Sequence, residues 1–566
     1  MSDEIASVAA EYWDFLLRSS PTWAHMLGDY RYARTFEDVS RAAEDAQISA
    51  ARSFARRAES IPPEGLGAQA RITREMLIFD ASAAADLSES RLAEITADPI
   101  HGPQATLPLL VAKLSIPSAD VADAMPDKFR GIARMFDDLG ERAREGAARD
   151  RTPPRFAVLA TLDQLDGWLV RPVDDDPLLA AVQLGEVDVP RDWRARLREA
   201  VELDVRPAMV RYQGILRDEI LPWARPDERC GLAWLPDGEQ AYARASRLYT
   251  TLDLSPQEIH DIGRREVARL SKEYRELGVA ILGTADLGLM FERLRSDPAL
   301  RHTNGAEIVA AAAAALRKAR AGMDDWFGIL PRAGCEVEET TSGAMAFYFQ
   351  PAQDGSRGGV FFMNTAAPRA WGRFEIESTA YHEGIPGHHL QIAIAGELSG
   401  LPEFRKHAWV TAYGEGWGLY AERLADEMGL YGTPLDRLGM LSNDSLRACR
   451  LVVDTGLHAL GWSRAQAVAY MVTNSPIDEG HVRAEIDRYV CSPGQALAYM
   501  LGRLEIQRLR AESQARLGER FDIRAFHDTI LTSGPMPLPT LARVVGEWSA
   551  SLASSLVAGI SAPTAS

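Results

Sequence analysis

The sequence contains no CxxC pair. Its four cysteines, Cys230, Cys335, Cys449 and Cys491, lie far apart, so neither a cysteine zinc site nor a disulfide framework is indicated. They read as small buried hydrophobes. Basic charge is in deficit: 62 Lys and Arg face 80 Asp and Glu, a net −18. A chain without a positive footprint is a poor partner for phosphate backbones, which sets nucleic acid aside. No apolar run reaches the length of a membrane span, and the opening MSDEIASVAAEYWDF is acidic where a secretory signal is basic. A cytoplasmic location with no membrane partner is the expectation. There is no internal repeat, and no low-complexity tract beyond the alanines at 310–315.

What remains is an ordinary globular composition, 46% hydrophobic and 25% charged over 566 residues. That length exceeds one typical core, so a bilobed body or two domains is expected, with residues 1–220 as an N-terminal helical lobe and 221–566 as the region carrying the chemistry. From about residue 4 to 220, apolar residues recur at three and four spacing, the period of helices. Ser255-Pro256-Gln257-Glu258 carries the grammar of a helix start and predicts a helix to about Glu276. The same grammar at Ser492 predicts one through about Ala515, and a weaker version stands at Ser463 with Gln466. Only residues 344–350 and 359–364 read as sheet; Asp354-Gly355-Ser356 between them predicts a hairpin. The fold class predicted is mostly α with this small β element near the site.

The densest chemistry lies in Glu377-Ser-Thr-Ala-Tyr-His382-Glu383-Gly384-Ile385-Pro386-Gly387-His388-His389, which holds three of the eleven histidines. In HExxH zinc hydrolases, two histidines one turn apart bind the ion and the intervening glutamate activates its water. Here proline occupies the position of the second histidine. On an unbroken helix the sixth residue on lies about 240° around, and the seventh lies roughly 10.5 Å along the axis. Neither suits two imidazoles that must each place a nitrogen about 2 Å from one ion. Pro386-Gly387 is where a helix can loop out residues. Two looped residues select His388, ranked first; three select His389.

A third ligand is expected from a neighbouring helix, and Glu415 in GEGWGLYAE, flanked by glycines that permit close backbone approach, is the candidate. Glu422, two turns on, is placed to accept a bond from a ligand imidazole. His458, in Asp454-Thr-Gly-Leu-His458, and Tyr499 are candidates to offset charge on a carbonyl oxygen, with core packing as the alternative for each. Arg450, Arg488 and Arg503 are candidates to pair with a substrate carboxylate or with structural acids. Trp417 and Tyr420 read as wall and core.

These pieces resemble a known family of bacterial proteins, domain of unknown function 885, grouped with zincin-like metallopeptidases. The likeness rests on HEGIPGHHLQ at 382–391, GEGWGLYAE at 414–422, RLVVDTGLHALGW at 450–462 and SPGQALAYMLG at 492–502. LPDGEQAY at 235–242 and TTLDLSPQEIH at 250–260 are similar too, so the resemblance covers about residues 220–530 firmly and the N-terminal lobe loosely. It implies a helical, bilobed, gluzincin-like fold with Glu383 as catalytic base and Glu415 as third ligand. It implies no particular substrate.

The expectation is thus a zinc hydrolase holding one Zn2+ per chain and acting on a peptide or related amide. Two rivals stand beside it. A helical di-iron carboxylate oxidase would need two Glu-x-x-His motifs, and none lies near the site. A non-catalytic metal-binding or scaffold protein would keep the pocket and lack turnover.

Overall fold

The computed structural model describes residues 2–352, 355 and 357–560. The helices that build the core and the site are α1 (Ser2–Ser19), α2 (Arg41–Glu59), α3 (Ala68–Ser88), α4 (Ala119–Ala147), α5 (Pro256–Leu282), α6 (Gly305–Ala321), α7 (Ile376–Glu383), α8 (His388–Glu397), α9 (Thr411–Glu427), α10 (Pro434–His458), α11 (Ala498–Leu517) and α12 (Leu538–Ile560). The protein is mostly α, with one small sheet. No described helix is long and apolar enough to cross a membrane.

Local grammar explains several boundaries. Ser255 accepts from the Glu258 amide and Glu258 reaches back, a reciprocal cap that starts α5; the helix runs on to Leu282 because its apolar face stays buried to Gly278. Ser463 and Gln466 cap their helix in the same way. Ser492 behaves otherwise. It follows the preceding helix, Gly494 takes a left-handed φ of 82°, and its amide donates to buried Asp454, so α11 begins at Ala498.

Among the described residues the sheet has three strands, and the last of them in sequence lies between the other two. The expected hairpin strands are β2 (Ala346–Phe349) and β3 (Gly359–Asn364), paired antiparallel with Phe347 opposite Phe362. Asp354 and Ser356 of the expected turn lie outside the described residues. An additional strand, β1 (Cys335–Thr340), runs parallel to β3. Its sequence CEVEET is acidic and half exposed, which hides it from a search for apolar strands.

Apolar burial does not divide at residue 220. One cluster gathers Ala33 and buried residues from Ala97 to Ile220 around α4. A second follows the packing of α5 along α10 and takes in Cys230 to Leu501. The third joins α1, α2 and α3 to α6, β3, α8, α9 and α12. Tyr12 of α1 meets Phe404 edge to face at 5.7 Å, and Arg405, fully buried, bonds Gln69 and Thr73 of α3. The first helices are therefore part of the body that carries the site.

Candidate metal centre

Helix α7 stops at Glu383 and α8 starts at His388, with a cis Ile385–Pro386 peptide between them. The interruption expected at Pro386-Gly387 is a complete break between two helices rather than a bulge within one. It is pinned by Trp417 of α9, whose Nε1 donates to the Pro386 carbonyl at 2.9 Å. A Cβ on Gly387 would lie 1.9 Å from the His382 carbonyl oxygen and 2.3 Å from that of Tyr381, so the turn admits only glycine.

The break brings the two imidazoles together. Their ring centroids are 4.7 Å apart with planes at 85°. Glu415 enters from α9, and its Oε2 lies 3.4 Å from Nε2 of His382 and 3.4 Å from Nε2 of His388. One ligand atom from each residue lies within 4.8 Å of the others, the single such group of three or more metal-capable side chains among the described residues. A charge-assisted N–H···O bond is shorter, about 2.7–2.9 Å. Donors held about 2.1 Å from one tetrahedral ion stand roughly 3.4 Å apart. Both Glu415 contacts have that spacing, so the three side chains could hold a metal ion.

Close helix contact makes this possible. Gly418 leaves room for the His382 ring, which a Cβ there would approach to 2.8 Å. Of the glycines beside Glu415, Gly416 lies against Gly502 of α11 and Gly414 under the Trp409 ring.

Behind the triad, His382 Nδ1 meets Glu422 Oε1 at 2.8 Å, and Asn443 Nδ2 donates to the other Glu422 oxygen at 3.0 Å and to Ser378 Oγ at 2.8 Å. His388 packs edge-on to Trp409 at 5.7 Å, and its Nδ1 is buried without a partner. Burial alone would lower the His382 pKa; its contacts with Glu415 and Glu422 reverse this and hold it up to about 9. Burial acts to raise Glu415, and the two imidazoles instead pull it far below the usual carboxylate range. A cluster that binds a proton this firmly offers the same donors to a divalent cation.

The triad opens into a cavity of about 1130 Å³ whose walls include half-buried Glu383, Trp409, Tyr499, Arg450 and strand β2. The Tyr499 ring stacks 6.4 Å from His382, and burial raises its hydroxyl pKa.

Two candidates are placed elsewhere. His389 faces away: its Nε2–H donates to the Ala333 carbonyl at 3.1 Å and its Nδ1 accepts from Tyr348 Oη at 2.9 Å, so the ring fastens the sheet to α8. Both nitrogens are used, and it is not a ligand. His458 is fully buried, with Nδ1 accepting from the Leu232 amide at 3.1 Å and Nε2–H donating to the Tyr489 carbonyl at 3.0 Å. It stacks on Tyr242, burial pushes its pKa down to about 4, and it is a core residue rather than an oxyanion donor. Asp454 bonds Tyr242 and Gly494 instead. Sequence reasoning missed Asn443, Trp409 and Arg447, which no local motif marks.

A family model described as "Bacterial protein of unknown function (DUF885)" matches residues 21–545. The crystal structure of a "putative lipoprotein" from Colwellia psychrerythraea is 27% identical, with the match covering 97% of this chain and 99% of that one at a TM-score of 0.89. A "putative lipoprotein of unknown function" from Shewanella oneidensis, 17% identical, shares the fold over 95% of this chain and 99% of its own, at a TM-score of 0.74. No curated protein is significantly similar in sequence.

Proposed function

The chain belongs to the bacterial family described as DUF885, and on that footing we propose that it is a zinc-dependent hydrolase of zincin-like type that cleaves a peptide or related amide bond. The observation that carries the reading is the convergence of His382, His388 and Glu415, with Glu383 beside them, on one wall of a large cavity. A single cluster of this kind among the described residues supports the reading of one ion per chain over a di-iron site.

His382 and His388 would hold the ion through Nε2 and Glu415 through a carboxylate oxygen. When bound, zinc in a three-ligand site supplies an open position, acidifies a water and polarises a carbonyl. Glu383 would take a proton from the attacking water and deliver it to the leaving amine. The Tyr499 hydroxyl would donate to the carbonyl oxygen as charge builds there. Glu422, held by Asn443, would keep His382 in the tautomer that turns Nε2 to the metal. Strand β2, at the edge of the sheet and on the cavity wall, would pair with an extended substrate backbone.

The deciding experiment is digestion of a peptide library by the zinc-loaded protein, read by mass spectrometry, beside a metal assay expected to give one zinc per chain. Metal without turnover on any peptide would leave the inert scaffold. Location is a separate matter: the 27% identical neighbour from Colwellia psychrerythraea is described as a "putative lipoprotein", which favours an exported site of action over the cytoplasmic one expected from the sequence. Cell fractionation decides it.

A further inference from the structure

The cavity holds a second chemical feature. Arg447 and Arg450, adjacent on one face of α10, line the wall beside Tyr499. The Arg450 guanidinium lies 4.5 Å from the Tyr499 ring centroid and that of Arg447 lies 5.8 Å from it. That same ring stands 6.4 Å from His382.

Other arginines are committed. Arg503 is buried between Asp444 and Glu266, and Arg488 is bonded to Glu485 and Gln495. Arg450 is 5% exposed and bonds Tyr489 Oη and Glu485 at 2.7 Å each, yet its Nη1 is buried with no partner. Arg447 Nε is likewise buried and unpartnered, and its Nη1 has only a 3.4 Å contact with the Asn443 carbonyl. Guanidinium donors left unmet inside a protein are costly, and their fork matches a carboxylate. Among the described residues Glu485 is the one carboxylate bonded to Arg450 and Arg488, so two guanidinium groups share one negative charge, and Arg447 beside them bonds no carboxylate.

We infer that Arg447 and Arg450 form a subsite for the free C-terminal carboxylate of a peptide, which makes the protein an exopeptidase working from the C-terminal end. The inference rests on the hydrolase reading above. An extended chain advances about 3.5 Å per residue, so one or two residues reach from the scissile carbonyl to these arginines. Hydrolysis consumes one water: the acyl carbon gains the hydroxyl, the C–N bond breaks, and the departing amine gains the proton. The leaving group is a C-terminal amino acid or dipeptide.

The test uses zinc-loaded protein and N-acetylated peptides ending in a free acid or an amide. Acids are expected to exceed amides about 100-fold in kcat/KM, and Arg447→Met or Arg450→Met should cut that preference to below about tenfold, through KM, with zinc content unchanged. If Arg450→Met fails to fold, Arg447→Met, whose side chain is only half-buried, carries the test. Calorimetric binding of the same peptides to Glu383→Gln protein reads the subsite without turnover. Equal affinity for acids and amides, or a preference untouched in Arg447→Met, overturns the inference. Acid preference in binding with no hydrolysis of any peptide supports the subsite and overturns the hydrolase reading alone.

Discussion

Glu422 accepts from His382 Nδ1 at 2.8 Å while His382 Nε2 faces Glu415 at 3.4 Å. A carboxylate oxygen accepts, so Glu422 holds the proton on Nδ1, and in the neutral ring that a metal needs the lone pair falls on Nε2, directed to the site. Glu422→Gln is expected to weaken zinc binding by about 10- to 100-fold, read by competition with a chelator. Unchanged affinity would mean that the Glu422 contact only packs the ring.

The two adjacent histidines should separate cleanly. His388→Ala and His382→Ala are expected to bring bound zinc from one per chain to near none, while His389→Ala retains it. Elemental analysis of purified variants is the check, and loss of metal in His389→Ala would overturn the ligand set.

Glu383→Gln should keep the metal and lose turnover by at least about 100-fold, the usual scale of a lost general base. A variant with its rate intact would remove Glu383 from proton transfer.

Two glycines give a graded steric test. Gly387→Ala drives a Cβ into two backbone carbonyls that cannot move aside, and should cost about 2 kcal/mol or more together with metal binding. Gly418→Ala meets only the His382 ring at 2.8 Å, and should lower zinc affinity with a smaller loss of stability. Denaturant titration of both apo variants orders them, and the reverse order would refute the account of the turn.

Stability should fall with acid through two buried histidines outside the ligand set. Burial pushes His458 down to about 4 and His527 to about 3, each with both nitrogens bonded inside the core. Their folded pKa values lie below the unfolded value of about 6.5. The unfolded chain therefore binds more protons between pH 6.5 and about 4, and stability present above 6.5 is lost across that window. At full displacement His458 contributes on the order of 3 kcal/mol and His527 on the order of 5 kcal/mol. Urea titrations between pH 7 and 4.5 should show a shallower slope for His458→Gln, and an identical slope would sink the argument.

Much of this arrangement was legible in the sequence, for physical reasons. Helical period, the cap at Ser255 and the clustering of His382, Glu383 and His388 are local signals, and Pro386-Gly387 marks the break because proline and glycine act on their own backbone. Strand β1 was hidden because its side chains are acidic and it is stabilised by pairing with β3. His458 could not be assigned, since its role follows from Leu232 and Tyr489, distant partners that no spacing reveals. Asn443 and Arg447 act through contacts across helices, and an isolated polar residue in a helical stretch carries no signature of them.

Tyr12 and the apolar face of α1 are covered by the segment around Phe404, and α3 is covered by α12, whose Arg543 pairs with Glu75. During synthesis, the leading helices therefore emerge several hundred residues before their cover exists. Their exposed aromatic surface must be shielded by chaperones or remain loosely collapsed until the last helix is made, so assembly of this protein is a late, end-to-end event.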